Sequence, residues 1–210
     1  MSNAPSCSAW TLYVILDPAA AGGRDLAWIA EQAIQGGADV LQLRHKQATA
    51  RQLLEETIRL LAVTKARGVP LILNDRADVA LAAGADGVHL GQDDLPIEAA
   101  RRMLGPGFLI GASTHSLAQA LEADRQPLDY IALGPIHPTP TKPDYGHVGV
   151  DLIRQVAPRL QHPLVVIGGI EPATLPDVRR AGARCVAVVR AVAGAPDPCA
   201  SARQLKQLLL

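Results

Sequence analysis

Neither sign of charge is in excess: Lys plus Arg and Asp plus Glu number 20 each, and neither forms a long run. A chain with no basic or acidic field has nothing to track a nucleic-acid backbone or an anionic membrane, so any anionic ligand must be small and gripped locally. Cysteine is scarce. Cys7, Cys185 and Cys199 lack the close spacing of a metal site, and an odd number favours free thiols in a reducing compartment. The opening MSNAPSCSAW has no basic region followed by an apolar run, and no segment approaches the length that spans a bilayer. These absences lead to the expectation of a cytoplasmic protein without nucleic-acid or membrane partners. A Gly-x-Gly-x-x-Gly run after the first β-rich segment is also missing, which weakens a dinucleotide-binding reading.

What is present suits one domain with a substantial core: 210 residues, 49% apolar and 19% charged. Residues 1–9 read as a loose tail and 10–210 as the domain. Eight β-rich runs recur, roughly at 10–17, 40–46, 71–75, 87–91, 108–114, 130–134, 164–169 and 185–192, each followed by a helix-like stretch. Thr49 and Gln52 form a capping-box start, and Leu53, Leu54, Ile58, Leu61 and Lys65 follow at helical spacing. GGAD, AGAD and AGAR close three such helices, with glycine able to take the left-handed stop. Alternating βα units imply a parallel sheet, and eight in this length fit a closed (β/α)8 TIM barrel better than an open doubly wound sheet, which stays as the alternative.

Barrel chemistry sits at the C-terminal ends of strands, so the residues there are the test. On the second run Gln42, Arg44 and Lys46 share one face by alternation, with a ligand anion or a neighbouring carboxylate as partner for the two cations. The third run ends in Asn74-Asp75, and the fourth runs into GQDDLP. Asp75 and Asp94 offer the one or two hard oxygen ligands that Mg²⁺ accepts when phosphates complete its shell. Asp93 reads as a solvated acid at a helix start. Ser113 and His115 stand at the fifth end, whereas Ser116 reads as a helix cap. The sixth connection, GPIHPTPTKPDYGHVG, holds four prolines and a central Lys142, and suggests either a lid over a ligand or a rigid cover of the rim. Gly168 and Gly169 follow the seventh run, where backbone N–H groups can approach a phosphate, and Val189-Arg190 follow the eighth. His45, His89, His137, His147 and His162 show no ligand spacing and read as structural or exposed.

Taken in order, QLRHK, NDRADVALAAGADGVHLGQDDLP, IGASTHS, GPIHPTPTKPD and VVIGGI resemble the thiamine-phosphate synthase family over nearly the whole chain. The resemblance implies condensation of 4-amino-2-methyl-5-hydroxymethylpyrimidine diphosphate with 4-methyl-5-(2-hydroxyethyl)thiazole phosphate, pyrophosphate leaving first and the thiazole nitrogen capturing the resulting cation. It implies Mg²⁺ on Asp75 and Asp94, and a pyrimidine contact from Gln42. Arg44, Lys46, Asn74 and Lys142 resemble the pyrophosphate grip, and Ser113 the serine near the reacting centre. On that basis Arg44, Ser113 and Lys142 are the expected catalytic residues. Thr139, Thr141, Gly169 and Val189 resemble contacts to the thiazole phosphate. A small homo-oligomer is also implied. Arg190 departs from the family's usual serine; it either adds a charge-assisted bond to that phosphate or points outward to an acid. Two other readings remain: a thiazole tautomerase, which His115 keeps open, and a ligand-binding paralogue without turnover.

Overall fold

The computed structural model describes residues 7–139 and 146–210. Eight parallel strands close on themselves in sequence order, β1 against both β2 and β8. They are β1 (Leu12–Leu16), β2 (Val40–Leu43), β3 (Leu71–Asn74), β4 (Gly87–Leu90), β5 (Leu109–Thr114), β6 (Tyr130–Leu133), β7 (Leu164–Ile167) and β8 (Cys185–Val188). The helices among the described residues are α1 (Pro18–Ala21), α2 (Leu26–Gln35), α3 (Ala50–Lys65), α4 (Ala77–Ala83), α5 (Ile97–Leu104), α6 (Leu117–Ala123), α7 (Val150–Val156), α8 (Leu175–Arg180), α9 (Arg190–Ala193) and α10 (Pro198–Leu209). None of these is long and apolar enough to cross a membrane. The closed ring excludes the open doubly wound alternative.

Period-two alternation divides the strand side chains between two cores. Leu12, Val14, Leu16, Leu41, Leu43, Leu71 and Leu73 face outward and pack beneath the helices. Tyr13, Ile15, Val40, Ile72, Leu109, Tyr130, Val165 and Cys185 fill the lumen. Helix ends follow their local chemistry. Thr49 Oγ1 accepts the N–H of Gln52 while the Gln52 side chain accepts the N–H of Thr49, completing the expected capping box of α3. Gly84 ends α4 at φ +69°, the left-handed stop expected of AGAD.

Several strand ends are shorter than the sequence reading, and two differences change the architecture. Residues 7–9 are not a loose tail: Cys7–Ala9 form a 3-10 turn, and Cys7 is buried with Trp10 under the lumen. The turn supplies the apolar floor that the open end of a barrel needs. The eighth strand stops at Val188, its last rung opposite Val14, rather than running on to Val192. Val189 leaves the extended region at ψ −82°, and its carbonyl accepts from Ala193, so Arg190 opens α9.

Candidate active site

The C-terminal ends of the strands surround a cavity of about 420 Å³. Of the residues expected there, Gln42, Arg44, Asn74, Ser113, Thr139, Gly169, Val189 and Arg190 line it, and so do His115 and Gly168. Thr141 and Lys142 lie outside the described residues. Lys46, Asp75 and Asp94 do not line the cavity but form a charged cluster beside it. The cause is that β2 ends at Leu43: alternation carries Arg44 to the cavity, the chain turns after it, and Lys46 is not on the shared strand face expected of it.

Arg44 and Lys46 are each paired with a carboxylate. Arg44 donates to Oδ2 of Asp17, whose other oxygen caps α1 by accepting the N–H of Ala19. Lys46 donates to Oδ2 of Asp75. Asp75 itself has φ +63°, a left-handed conformation, and its N–H donates to the carbonyl of His89, which locks the β3 end to β4. Asp94 accepts the N–H of Gly91 at 2.7 Å and is turned toward Asp75. Burial, then the adjacent Asp75 carboxyl, raises the Asp94 pKa above the ordinary carboxylate value, with Gly91 and Lys46 opposing. The two acids therefore meet, as the sequence reading required, and one resists ionising beside the other. A divalent cation relieves that repulsion, and the pair has the oxygen chemistry that Mg²⁺ takes from protein when phosphate and water supply the rest. Among the described residues no group of three or more His, Cys, Asp or Glu could enclose a metal by itself. Asp93 is exposed, as expected.

Ser116 caps α6 by accepting the N–H of Gln119 at 3.2 Å, as its position suggested. His115 donates from Nδ1 to the carbonyl of Gly134 and so ties the β5 and β6 ends together. Gly168 and Gly169 have φ of +107° and +59°. A Cβ on Gly168 would stand 2.5 Å from Pro135 Cα, and one on Gly169 would stand 2.6 Å from His137 Cβ. The glycines are thus needed for close packing of the β7 end against the β6 connection. Arg190 lines the cavity and has no ion pair among the described residues.

Sequence reasoning missed the polar lumen beneath this rim. Gln42 Nε2 donates to Tyr13 Oη at 2.7 Å; Tyr13 and Tyr130 hydroxyls are 3.0 Å apart; Tyr130 Oη lies 3.1 Å from His89 Nδ1; and His89 Nε2 lies 2.9 Å from Ser113 Oγ. His89, read from sequence as structural or exposed, stands at the cavity wall between Tyr130 and Ser113. The one available signal was parity: His89 alternates with the outward Val88 and Leu90 and must face the lumen.

A closed (β/α)8 barrel with paired acids, cations and a cavity at its strand ends defines a barrel enzyme built for a small anionic ligand. The chain belongs to the thiamine monophosphate synthase family, whose model matches residues 12–192. A thiamine-phosphate synthase of Chloroflexus aurantiacus is 49% identical over 201 residues, covering 95% of this chain and 93% of that protein. Another, from Mycobacterium sp. (strain JLS), is 46% identical and covers 98% of this chain and 95% of its own. The solved thiamine phosphate pyrophosphorylase of Pyrococcus furiosus superposes with a TM-score of 0.89 at 34% identity, over 97% of this chain and 96% of that one.

Proposed function

We propose that this chain joins an aminopyrimidine diphosphate to a thiazole phosphate, giving thiamine phosphate and pyrophosphate by a dissociative route. The observation that carries the reading is the contact of Asp75 with Asp94 beside Lys46, next to a cavity walled by Arg44 and Asn74. Asp75 and Asp94 would hold Mg²⁺, which when bound supplies positive charge to offset the charge developing on the leaving group. Arg44 and Lys46 grip the pyrophosphate by exchanging their present partners, Asp17 and Asp75, for its oxygens. Asn74 adds a neutral donor on the same side, and Lys142 a further cation by family resemblance.

The pyrimidine lies in the cavity against Gln42 and Ser113, and loss of pyrophosphate leaves a cation delocalised into the electron-rich ring. Thr139, Thr141, Gly169, Val189 and Arg190 hold the thiazole phosphate so that the ring nitrogen faces that carbon. No side chain need act as nucleophile; the site aligns two rings and keeps water from the cation. A tautomerase acting on one thiazole phosphate has no use for the acid and cation cluster beside Asn74, and the cluster favours the synthase.

The test combines purified protein with both substrates, with and without Mg²⁺, and measures pyrophosphate and thiamine phosphate. Mg²⁺-dependent formation of both, in equal amounts, is expected. Binding of both substrates without product would replace this reading with the non-catalytic one.

A further inference from the structure

The five side chains from Gln42 to Ser113 form one continuous chain across the lumen, and the hydrogen inventory gives it a direction. Burial raises the pKa of both Tyr13 and Tyr130, so each hydroxyl keeps its proton and has one to donate. Tyr13 Oη receives from Gln42 Nε2, so its own proton goes to Tyr130 Oη. The Tyr130 proton then goes to His89 Nδ1. With Nδ1 accepting, the ring proton sits on Nε2 and is donated to Ser113 Oγ.

Glycine makes this path possible. A Cβ on Gly111 would fall 2.0 Å from Tyr130 Cζ, so only glycine at that place lets the phenol cross the lumen. Trp10 braces the same ring edge-on, with centroids 5.5 Å apart.

We propose that Tyr13, Tyr130 and His89 are positioning residues that set the two polar ends of the pyrimidine site: Gln42 presents Oε1 to the cavity as an acceptor, and Ser113 directs its hydroxyl proton into it as a donor. The identity of the ring rests on the function proposed above; the direction of the chain does not. An amide pinned with its oxygen forward accepts from an exocyclic amino group and meets an oxo group with repulsion. The chain is therefore a device that selects an aminopyrimidine over its deaminated, oxo counterpart.

Nitrogen-15 spectra of histidine-labelled protein, with the His89 signals assigned by their loss in His89→Gln, read the direction without any substrate. A pyridine-like Nδ1 and a pyrrole-like Nε2 are expected; the opposite pattern, or a ring protonated at both nitrogens, overturns the proposal. Kinetics then read the consequence, using amino and oxo pyrimidine diphosphates as competing substrates. Tyr13→Phe frees the Gln42 amide to turn, and the preference for the amino ring should fall about tenfold, the scale of one hydrogen bond. His89→Gln, whose amide reaches the place of Nε2, should keep kcat within about threefold, whereas His89→Asn, which stops at the place of Nδ1, should lower it roughly 10- to 100-fold. Both should leave KM for the thiazole phosphate unchanged. Equal losses in the Gln and Asn variants, or an unchanged ring preference in Tyr13→Phe, would mean that the chain is only structural. If wild-type protein turns over neither pyrimidine, the proposed reaction fails while the spectra still decide the chain.

Discussion

At the scale of single residues, the proposed thiazole phosphate contact turns on Arg190. It is exposed, lines the cavity, and has no acid partner among the described residues, so its guanidinium is available to a ligand. Arg190→Ser should raise KM for the thiazole phosphate about tenfold or more, the scale of a charge-assisted hydrogen bond, and leave that for the pyrimidine nearly unchanged. An equal rise in both constants would remove Arg190 from the phosphate. In the proposed function Arg44 serves the other ligand, so Arg44→Ala should lower kcat on the order of 10² to 10³-fold, as loss of a preorganised donor to a charged transition state does. Gly169→Ala combines a positive φ with a Cβ driven into His137, and should cost about 1–3 kcal/mol, seen as a lower urea midpoint.

The repeated Gly-Ala-polar stop does more than end helices. Asp39, just before β2, accepts from the N–H of Leu12 at 2.9 Å, and Asp86, before β4, accepts from Leu71 at 2.8 Å; Asp129, before β6 and outside any Gly-Ala stop, does the same for Ile110 at 2.8 Å. Each acid thus satisfies an N–H at the start of the preceding strand, where the parallel ladder has no partner to offer. Arg184 stands at the matching place before β8. Asp86→Ala should therefore destabilise by about 1–3 kcal/mol, the penalty for an orphaned buried donor, with the denaturant slope unchanged. The Asp side chains were visible in GGAD and AGAD, but their task was not, because the N–H they accept belongs to another βα unit.

At the scale of the whole molecule, Asp39 also receives the ammonium of Lys206 at 2.6 Å, tying α10 to the floor of β1 and β2. Burial alone would raise its pKa, but the Leu12 and Thr11 N–H groups and Lys206 together hold it below the ordinary value near 3.8. Asp124 is depressed likewise: burial opposes, and the N–H groups of His162 and Gln161 with the His162 ring prevail. A depressed carboxylate contributes stability that is present above its unfolded pKa and lost as pH falls through the folded one. The thermal midpoint should accordingly drop as pH goes from about 5 to about 3, and less steeply in Asp39→Asn. An equal slope in that variant would assign the acid sensitivity elsewhere. The sequence by itself determined the number of strands and their order along the chain, the face each residue within a strand takes, the α3 cap and most of the polar residues at the strand ends, because periodicity, caps and turn glycines act over a few neighbouring residues. Only the tertiary structure decided that Arg44 rests on Asp17, that Lys46 leaves the cavity for Asp75, and that Tyr13 meets Tyr130 across 117 positions of chain. Those contacts depend on how the ring of strands closes, and closure brings together side chains that no local spacing relates.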